Sequence, residues 1–67
     1  MLPLLPFERI AKKAGIKRIS REALEELRDT MDEYATQLAE KAVKLSRHAN
    51  RRTVKAEDIK FVTKEEI

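Results

Sequence analysis

Apolar residues recur at alternating steps of three and four along the longest stretch of the chain without Gly or Pro, from Arg21 to about His48. Side chains with that spacing line one face of a helix, and the stretch is rich in the strong helix formers Ala, Leu, Glu and Lys. The pattern therefore predicts one long helix. Ser20, directly before it, is placed to cap the first free N–H groups. The apolar positions are Leu24, Leu27, Met31, Tyr34, Ala35, Leu38, Ala39, Ala42, Val43, Leu45 and Ala49.

Two short helices are predicted, one on each side of the long helix. Pro6 suits the first turn of a helix over FERIAKKA, and Gly15 follows where a left-handed residue is expected. Asn50 takes the same place after the long helix, since asparagine tolerates a left-handed conformation. A last helix is expected over about residues 55–63, with acidic residues in its first turn. The expected fold class is all-α, with two loops joining three helices.

The length of the central helix bears on how the chain folds. A helix of this length spans about 42 Å at 1.5 Å per residue, whereas a globular domain of this size is roughly 25 Å across. A chain of 67 residues therefore cannot bury the apolar stripe by itself. We expect a second chain to cover it, most simply an identical one. No linker or internal repeat is evident, so residues 1–67 are expected to form a single domain.

Charge is distributed unevenly along the long helix. The long helix carries acidic residues over its first two thirds and bases from Lys41 onward. Complementarity to the helix dipole explains part of this distribution, but not Arg51, Arg52 and Lys55, which lie beyond the helix. The formal net charge of +3 is weak evidence for a nucleic-acid partner, because the clustering of bases matters more than their sum.

Two chains would bring these bases together. If two long helices cross antiparallel, the first loop, with Lys17 and Arg18, lies beside the second loop of the other chain, with Arg52 and Lys55. Each end of the dimer would then carry a merged basic cluster suited to phosphates. On composition alone, ordinary solvated charge is an equally good interpretation of these bases.

Several kinds of chemistry find no support. The chain has no cysteine, which excludes disulfides and thiolate metal sites. His48 is the only histidine, so a metal site would need carboxylates or a second chain to complete it, and we expect none; a helix-end residue that suits the dipole is the simpler interpretation. No catalytic constellation is apparent, so neither enzymatic activity nor a cofactor is expected. Neither a signal peptide nor a membrane span is evident, which favours an intracellular protein without membrane contact.

Three segments resemble a known family. LPLLPFERIAKKAG, ISREA and KAVKLSRHANRRTVKAEDI are similar to archaeal histones, which have a minimal histone fold without tails. The resemblance implies an intertwined head-to-tail homodimer, or a heterodimer with a paralogue, that joins into tetramers or longer stacks. It also implies that double-stranded DNA wraps around the outside without strong sequence specificity, and that the protein is cytoplasmic and associated with the chromosome.

The resemblance also implies roles for individual residues. Arg9 would enter the minor groove, Thr53 would steady it across the dimer, and Arg51 and Asp58 would tie the second loop to the last helix. The expected DNA-binding residues are Arg9, Lys12, Lys17, Arg18, Ser20, Arg52, Thr53 and Lys55. The expected surface between dimers consists of Leu45, His48, Asp58 and Phe61, and stacked dimers would approach closely at Gly15.

The chain departs from the family pattern at three places. Lys17 stands where an acid or a small residue is common, which should strengthen DNA contact, and Asn50 stands where glycine is usual. The ending FVTKEEI, with Thr63, Glu65 and Glu66, lacks the basic finish of the family and should weaken contacts between stacked dimers. The alternative function is a histone-fold transcription-factor subunit that pairs with a different protein and acts as a dimerisation module.

Overall fold

The computed structural model describes residues 2–65, without the side chain of Glu65. In this part of the chain it contains three helices, α1 (Leu5–Lys13), α2 (Arg21–His48) and α3 (Ala56–Glu65). The predicted all-α order is confirmed. No helix within residues 2–65 has both the length and the apolar character needed to cross a membrane.

The bounds of the short helices differ slightly from the predicted ones. Helix α1 begins at Leu5, because Pro6 occupies one of the first two helical positions, where its missing N–H is not needed. Helix α3 begins at Ala56, one residue after Lys55, and extends beyond residue 63. The Lys55 N–H donates to the Asp58 side chain at 2.8 Å and the Lys55 carbonyl accepts from the Asp58 N–H at 2.9 Å, so Lys55 is the capping residue.

Helix α2 has capping interactions at both ends. Ser20 Oγ accepts the Ala23 N–H at 3.1 Å, as its position before the helix predicted. At the other end the Asn50 and Arg51 N–H groups each donate at 2.9 Å, to the Arg47 and Ser46 carbonyls respectively. This pair of bonds is a Schellman motif and requires a left-handed residue, which is Asn50 with φ 58°.

Helix α1 ends with the same motif. The Gly15 N–H donates to the Lys12 carbonyl at 3.0 Å, and the Ile16 N–H donates to the Ala11 carbonyl at 2.9 Å. Gly15 has φ 97°, in the region that glycine adopts without strain. We call residues 14–20 the first loop and residues 49–55 the second loop.

The chain packs as two compact units, Met1–Glu33 and Tyr34–Ile67, and the boundary between them falls inside α2. The first unit buries Ala11 and Leu24, and the second buries Ala42 and Val62. Among the residues that the structure describes, the exposed large apolar residues outnumber these four buried apolar residues. The exposed ones are Leu2, Leu5, Ile10, Ile16, Met31, Val54, Ile59 and Phe61.

Candidate nucleic-acid interface

The first unit presents four bases from α1 and the first loop. Arg9, Lys12, Lys17 and Arg18 are all exposed. Lys12 Nζ lies 3.7 Å from Glu8 Oε1, one turn earlier on the same helix, and both side chains are well solvated. A solvated pair of this kind contributes little to stability, so it leaves Lys12 available to another anion.

Ser20 and Gly15 frame the first loop. The Ser20 side chain is exposed, but its Oγ already accepts the Ala23 N–H at the start of α2. Its hydroxyl proton remains available to a phosphate oxygen, because an accepting hydroxyl can still donate. Gly15 is exposed, and a Cβ built on it would meet nothing within 4 Å.

The second loop is tied to α3 by an ion pair. Arg51 Nη2 donates to Asp58 Oδ1 at 2.6 Å, and Arg51 Nη1 donates to Asp58 Oδ2 at 2.9 Å. This two-bond geometry is the strongest that arginine makes with a carboxylate. The Arg51 guanidinium and then the Lys55 N–H lower the pKa of Asp58 from 3.8 to about 2, and the hydrogen bond to Asp58 raises the pKa of Arg51.

A hydroxyl on α2 holds the same loop from the other side. Ser46 is 2% exposed, and its Oγ lies 3.0 Å from the Arg51 carbonyl and 3.1 Å from the Thr53 carbonyl. The Thr53 carbonyl also accepts Arg51 Nη1 at 2.9 Å. We call these contacts of Ser46, Arg51, Thr53, Lys55 and Asp58 the second-loop network. Sequence reasoning missed Ser46; the only available signal was a hydroxyl near the end of a helix face otherwise filled by Ala, Val and Leu.

The second-loop network uses backbone groups of Thr53 and Lys55, and the DNA-binding candidates of this loop remain accessible. Arg52, Thr53 and Lys55 are exposed, whereas Arg51 is half-buried and Asp58 is buried. A surface depression beside the loop is lined by three arginines, Arg47, Arg51 and Arg52, together with Val43, Ser46 and Val54. The second unit therefore gathers cations around a loop whose backbone is fixed, a suitable arrangement for meeting a polyanion.

The residues expected between dimers differ in accessibility. Phe61 is 51% exposed, His48 is exposed and Leu45 is half-buried. Asp58 is only 2% exposed; its Oδ2 accepts two hydrogen bonds and its Oδ1 accepts one. Of these four residues, Phe61 and His48 are the most available to a second dimer. Glu66 lies outside the described residues, as does the side chain of Glu65.

Arg28 was also missed. It is the only base between Glu22 and Glu40 of α2, and its side chain is only 8% exposed. Its Nε donates to Asp29 Oδ1 at 2.9 Å. The buried guanidinium thus belongs to the packing of the first unit, which charge counting along the helix could not reveal.

Among the residues that the structure describes, no group of three or more His, Cys, Asp or Glu side chains is placed to hold a metal ion.

Comparison with known proteins gives consistent matches over most of the chain. The family model described as histone-like transcription factor (CBF/NF-Y) and archaeal histone matches residues 1–62. The chain is 43% identical over 63 residues to one of the subunits of archaeal histone HAN1 from Thermococcus zilligii, covering 94% of each protein. It is 46% identical over 59 residues to probable archaeal histone 3 of Methanocaldococcus jannaschii, covering 88% of each. Histone H4 of Dictyostelium discoideum is 38% identical over 56 residues, which are 84% of this chain and 52% of that protein.

Proposed function

Because the chain belongs to the family of histone-like transcription factors (CBF/NF-Y) and archaeal histones, we propose that it binds and compacts double-stranded DNA without strong sequence specificity. DNA would wrap around histone-fold dimers and higher assemblies, as the histone likeness of its relatives suggests. The protein would be cytoplasmic and associated with the chromosome. The proposal gives it no enzymatic role and no cofactor.

The observation that carries the proposal is the second-loop network. Arg51 is neutralised by Asp58 inside the network, whereas Arg52 and Lys55 stay exposed on the same fixed loop. Exposed bases on a rigid loop neutralise phosphates without ordering a flexible segment first. The first loop supplies Lys17 and Arg18 for the same purpose.

A homodimer is part of the proposal. The apolar residues that α2 and α3 leave exposed, such as Met31, Ile59 and Phe61, support a second chain that covers them. A head-to-tail pair of identical chains would place the first loop of one beside the second loop of the other and so merge the basic clusters. A paralogue with the same fold could take the place of one chain, and dimers would join further on DNA through Leu45, His48 and Phe61, with Gly15 at the approach of stacked dimers.

The lack of sequence preference follows from the types of contact. Lys12, Lys17, Arg18, Ser20, Arg52 and Lys55 are assigned to phosphates, which are the same in every sequence. Arg9, exposed on α1, is assigned to the minor groove and is steadied by Thr53 of the other chain. An arginine in the minor groove responds to groove width, so Arg9 would favour easily bent duplexes and narrow A·T tracts.

One observation favours a second candidate function. The matching family model covers histone-like transcription factors as well as archaeal histones, and the exposed apolar residues would equally suit a different partner. The alternative is therefore a dimerisation module that contacts DNA weakly. The mass of the pure protein in solution and its gel shift on random duplex DNA distinguish the two: a homodimer that shifts every sequence supports packaging, whereas a monomer indifferent to DNA supports the module.

The sharper test uses the salt dependence of binding. Arg52→Ala should weaken binding to all duplexes alike and reduce the slope of log affinity against log salt by about 0.9, the contribution of one phosphate contact. Lys44→Ala removes the same charge from an exposed position of α2 outside the proposed set, so it is the matched control. Equal slopes for the two variants would show that only net charge matters and would remove Arg52 from the interface.

A further inference from the structure

The Ser46 hydroxyl makes hydrogen bonds that are unusual for a serine within a helix. Within a helix its hydroxyl usually faces water or donates to the carbonyl four residues earlier. In this chain the hydroxyl is buried and instead reaches forward, to the carbonyls of Arg51 and Thr53. The Ser46 carbonyl also accepts the Arg51 N–H at 2.9 Å, so the carbonyl and the hydroxyl of this residue both contact the second loop.

The two carbonyls held by the hydroxyl lie on either side of Arg52. The single hydroxyl proton is shared between them. Fixing these two carbonyls restricts the backbone dihedrals of Arg52 and Thr53, which lie between the two peptide planes, and hence the direction of the Arg52 side chain. The Thr53 carbonyl has a second donor in Arg51 Nη1, whereas the Ser46 hydroxyl is the donor that the structure shows for the Arg51 carbonyl. Loss of the hydroxyl would release mainly the side of the loop that precedes Arg52.

We infer that Ser46 is a positioning residue for DNA binding: its buried hydroxyl fixes the second loop so that Arg52 is directed outward to a phosphate. The inference rests on the proposed function, since it concerns how one of the proposed contacts is made. Ser46 itself is buried and touches no DNA. Because the carbonyls that its hydroxyl contacts lie around Arg52, we expect its effect on binding to pass mainly through Arg52, which sets it apart from a residue that only stabilises the fold.

The test is a double-mutant cycle on the full-length protein. Ser46→Ala should stay helical and dimeric while binding random duplex DNA about two- to tenfold more weakly, the range expected when one hydrogen bond no longer holds its group. The slope of its log affinity against log salt should decrease, as it does for Arg52→Ala. Adding Ser46→Ala to Arg52→Ala should weaken binding no further, because the residue that Ser46 positions is already gone.

Thr63→Ala is the matched control, since the Thr63 hydroxyl donates to the Ile59 carbonyl at 2.7 Å within α3 and not to the second loop. Thr63 lies in the ending expected to affect contacts between stacked dimers, so all affinities are measured on a short duplex that holds one dimer. There Thr63→Ala should bind as the parent does. Independent effects of Ser46→Ala and Arg52→Ala that simply add would overturn the inference, as would an unchanged salt slope in a folded Ser46→Ala dimer.

Hydrogen exchange of the loop amides in the DNA-free protein separates this inference from the proposed function. Faster exchange at residues 51–55 in Ser46→Ala, with no change in Thr63→Ala, supports the positioning of the loop even if the parent fails to shift any duplex. In that case the proposed function alone is refuted. Exchange as slow as in the parent would overturn the positioning role, whatever the DNA assays show.

Discussion

The left-handed residue that ends α2 allows a quantitative test of the second loop. Asn50 has φ 58°, inside the small region that asparagine tolerates. The two hydrogen bonds at this turn use only backbone atoms, so a change of side chain leaves them intact. Asn50→Ala should therefore destabilise each chain by about 1 kcal/mol, the lower end of the range for an ordinary residue forced into this conformation.

Asn50→Gly should change stability little. Glycine removes the steric cost of the left-handed conformation but gains conformational freedom in the unfolded chain, and the two effects are of similar size, about 0.5–1 kcal/mol. The pair of variants thus separates the backbone from the side chain. The similar size of the two effects also explains how Asn50 can replace the glycine usual at this position in the family.

The assay is thermal denaturation followed by circular dichroism at one fixed protein concentration and without DNA. A loss of about 1 kcal/mol per chain should lower the melting temperature of Asn50→Ala by roughly 4–8 °C. Gly15→Ala is the companion variant: with φ +97° and no atom within 4 Å of the added Cβ, its destabilisation comes from the backbone alone and should be at least as large. If Asn50→Ala melted with the parent while Gly15→Ala did not, the second loop would not have the conformation described.

Three further predictions concern assembly, acid stability and the surface between dimers. Leu38→Asp, at a half-buried position of the α2 stripe, should leave a largely unfolded chain. The melting temperature of the parent should rise with protein concentration, which calorimetry at several concentrations checks. Because the pKa of Asp58 is lowered from 3.8 to about 2, its stabilising effect is fully present above about pH 4 and is lost as the pH falls through about 2. The urea concentration at the midpoint of unfolding should therefore fall less steeply over this pH range for Asp58→Asn than for the parent. His48→Ala should keep the melting temperature of the dimer but shorten the DNA protected from nuclease at saturation, and an unchanged length would remove His48 from the surface between dimers.

The parts of the fold that depend on local signals were predicted well. The bounds of α2, its Ser20 cap and its left-handed end at Asn50 follow from spacing, a hydroxyl before the helix and a residue type that tolerates positive φ. The pairing of Arg51 with Asp58 was expected from the family resemblance and is present in the structure. The assignment of individual residues to DNA stays a prediction, since it depends on a second chain and a duplex.

The interactions that were missed depend on where a side chain points after the loop has folded. Ser46 and Arg28 lie on α2, and helical spacing places each residue on a face without giving its hydrogen-bond partners. The Ser46 hydroxyl finds its partners only because the second loop turns back over it. The Arg28 guanidinium becomes buried only when the chain has folded. Apart from the hydroxyl of Ser46 on an otherwise apolar helix face, neither arrangement has a sequence signature.

The second-loop network also bears on the order in which the molecule folds. Its contacts join residues two to seven positions apart: Ser46 with Arg51 and Thr53, Arg51 with Thr53, and Asp58 with Arg51 and Lys55. Contacts between such near neighbours close short loops, and closing a loop of about ten residues takes on the order of 10–100 ns. The loop can therefore form transiently in a single chain, long before two chains meet. The slow, concentration-dependent step of folding would then be the burial of the α2 stripe against a second chain, while the turn that carries Arg52 is already in place.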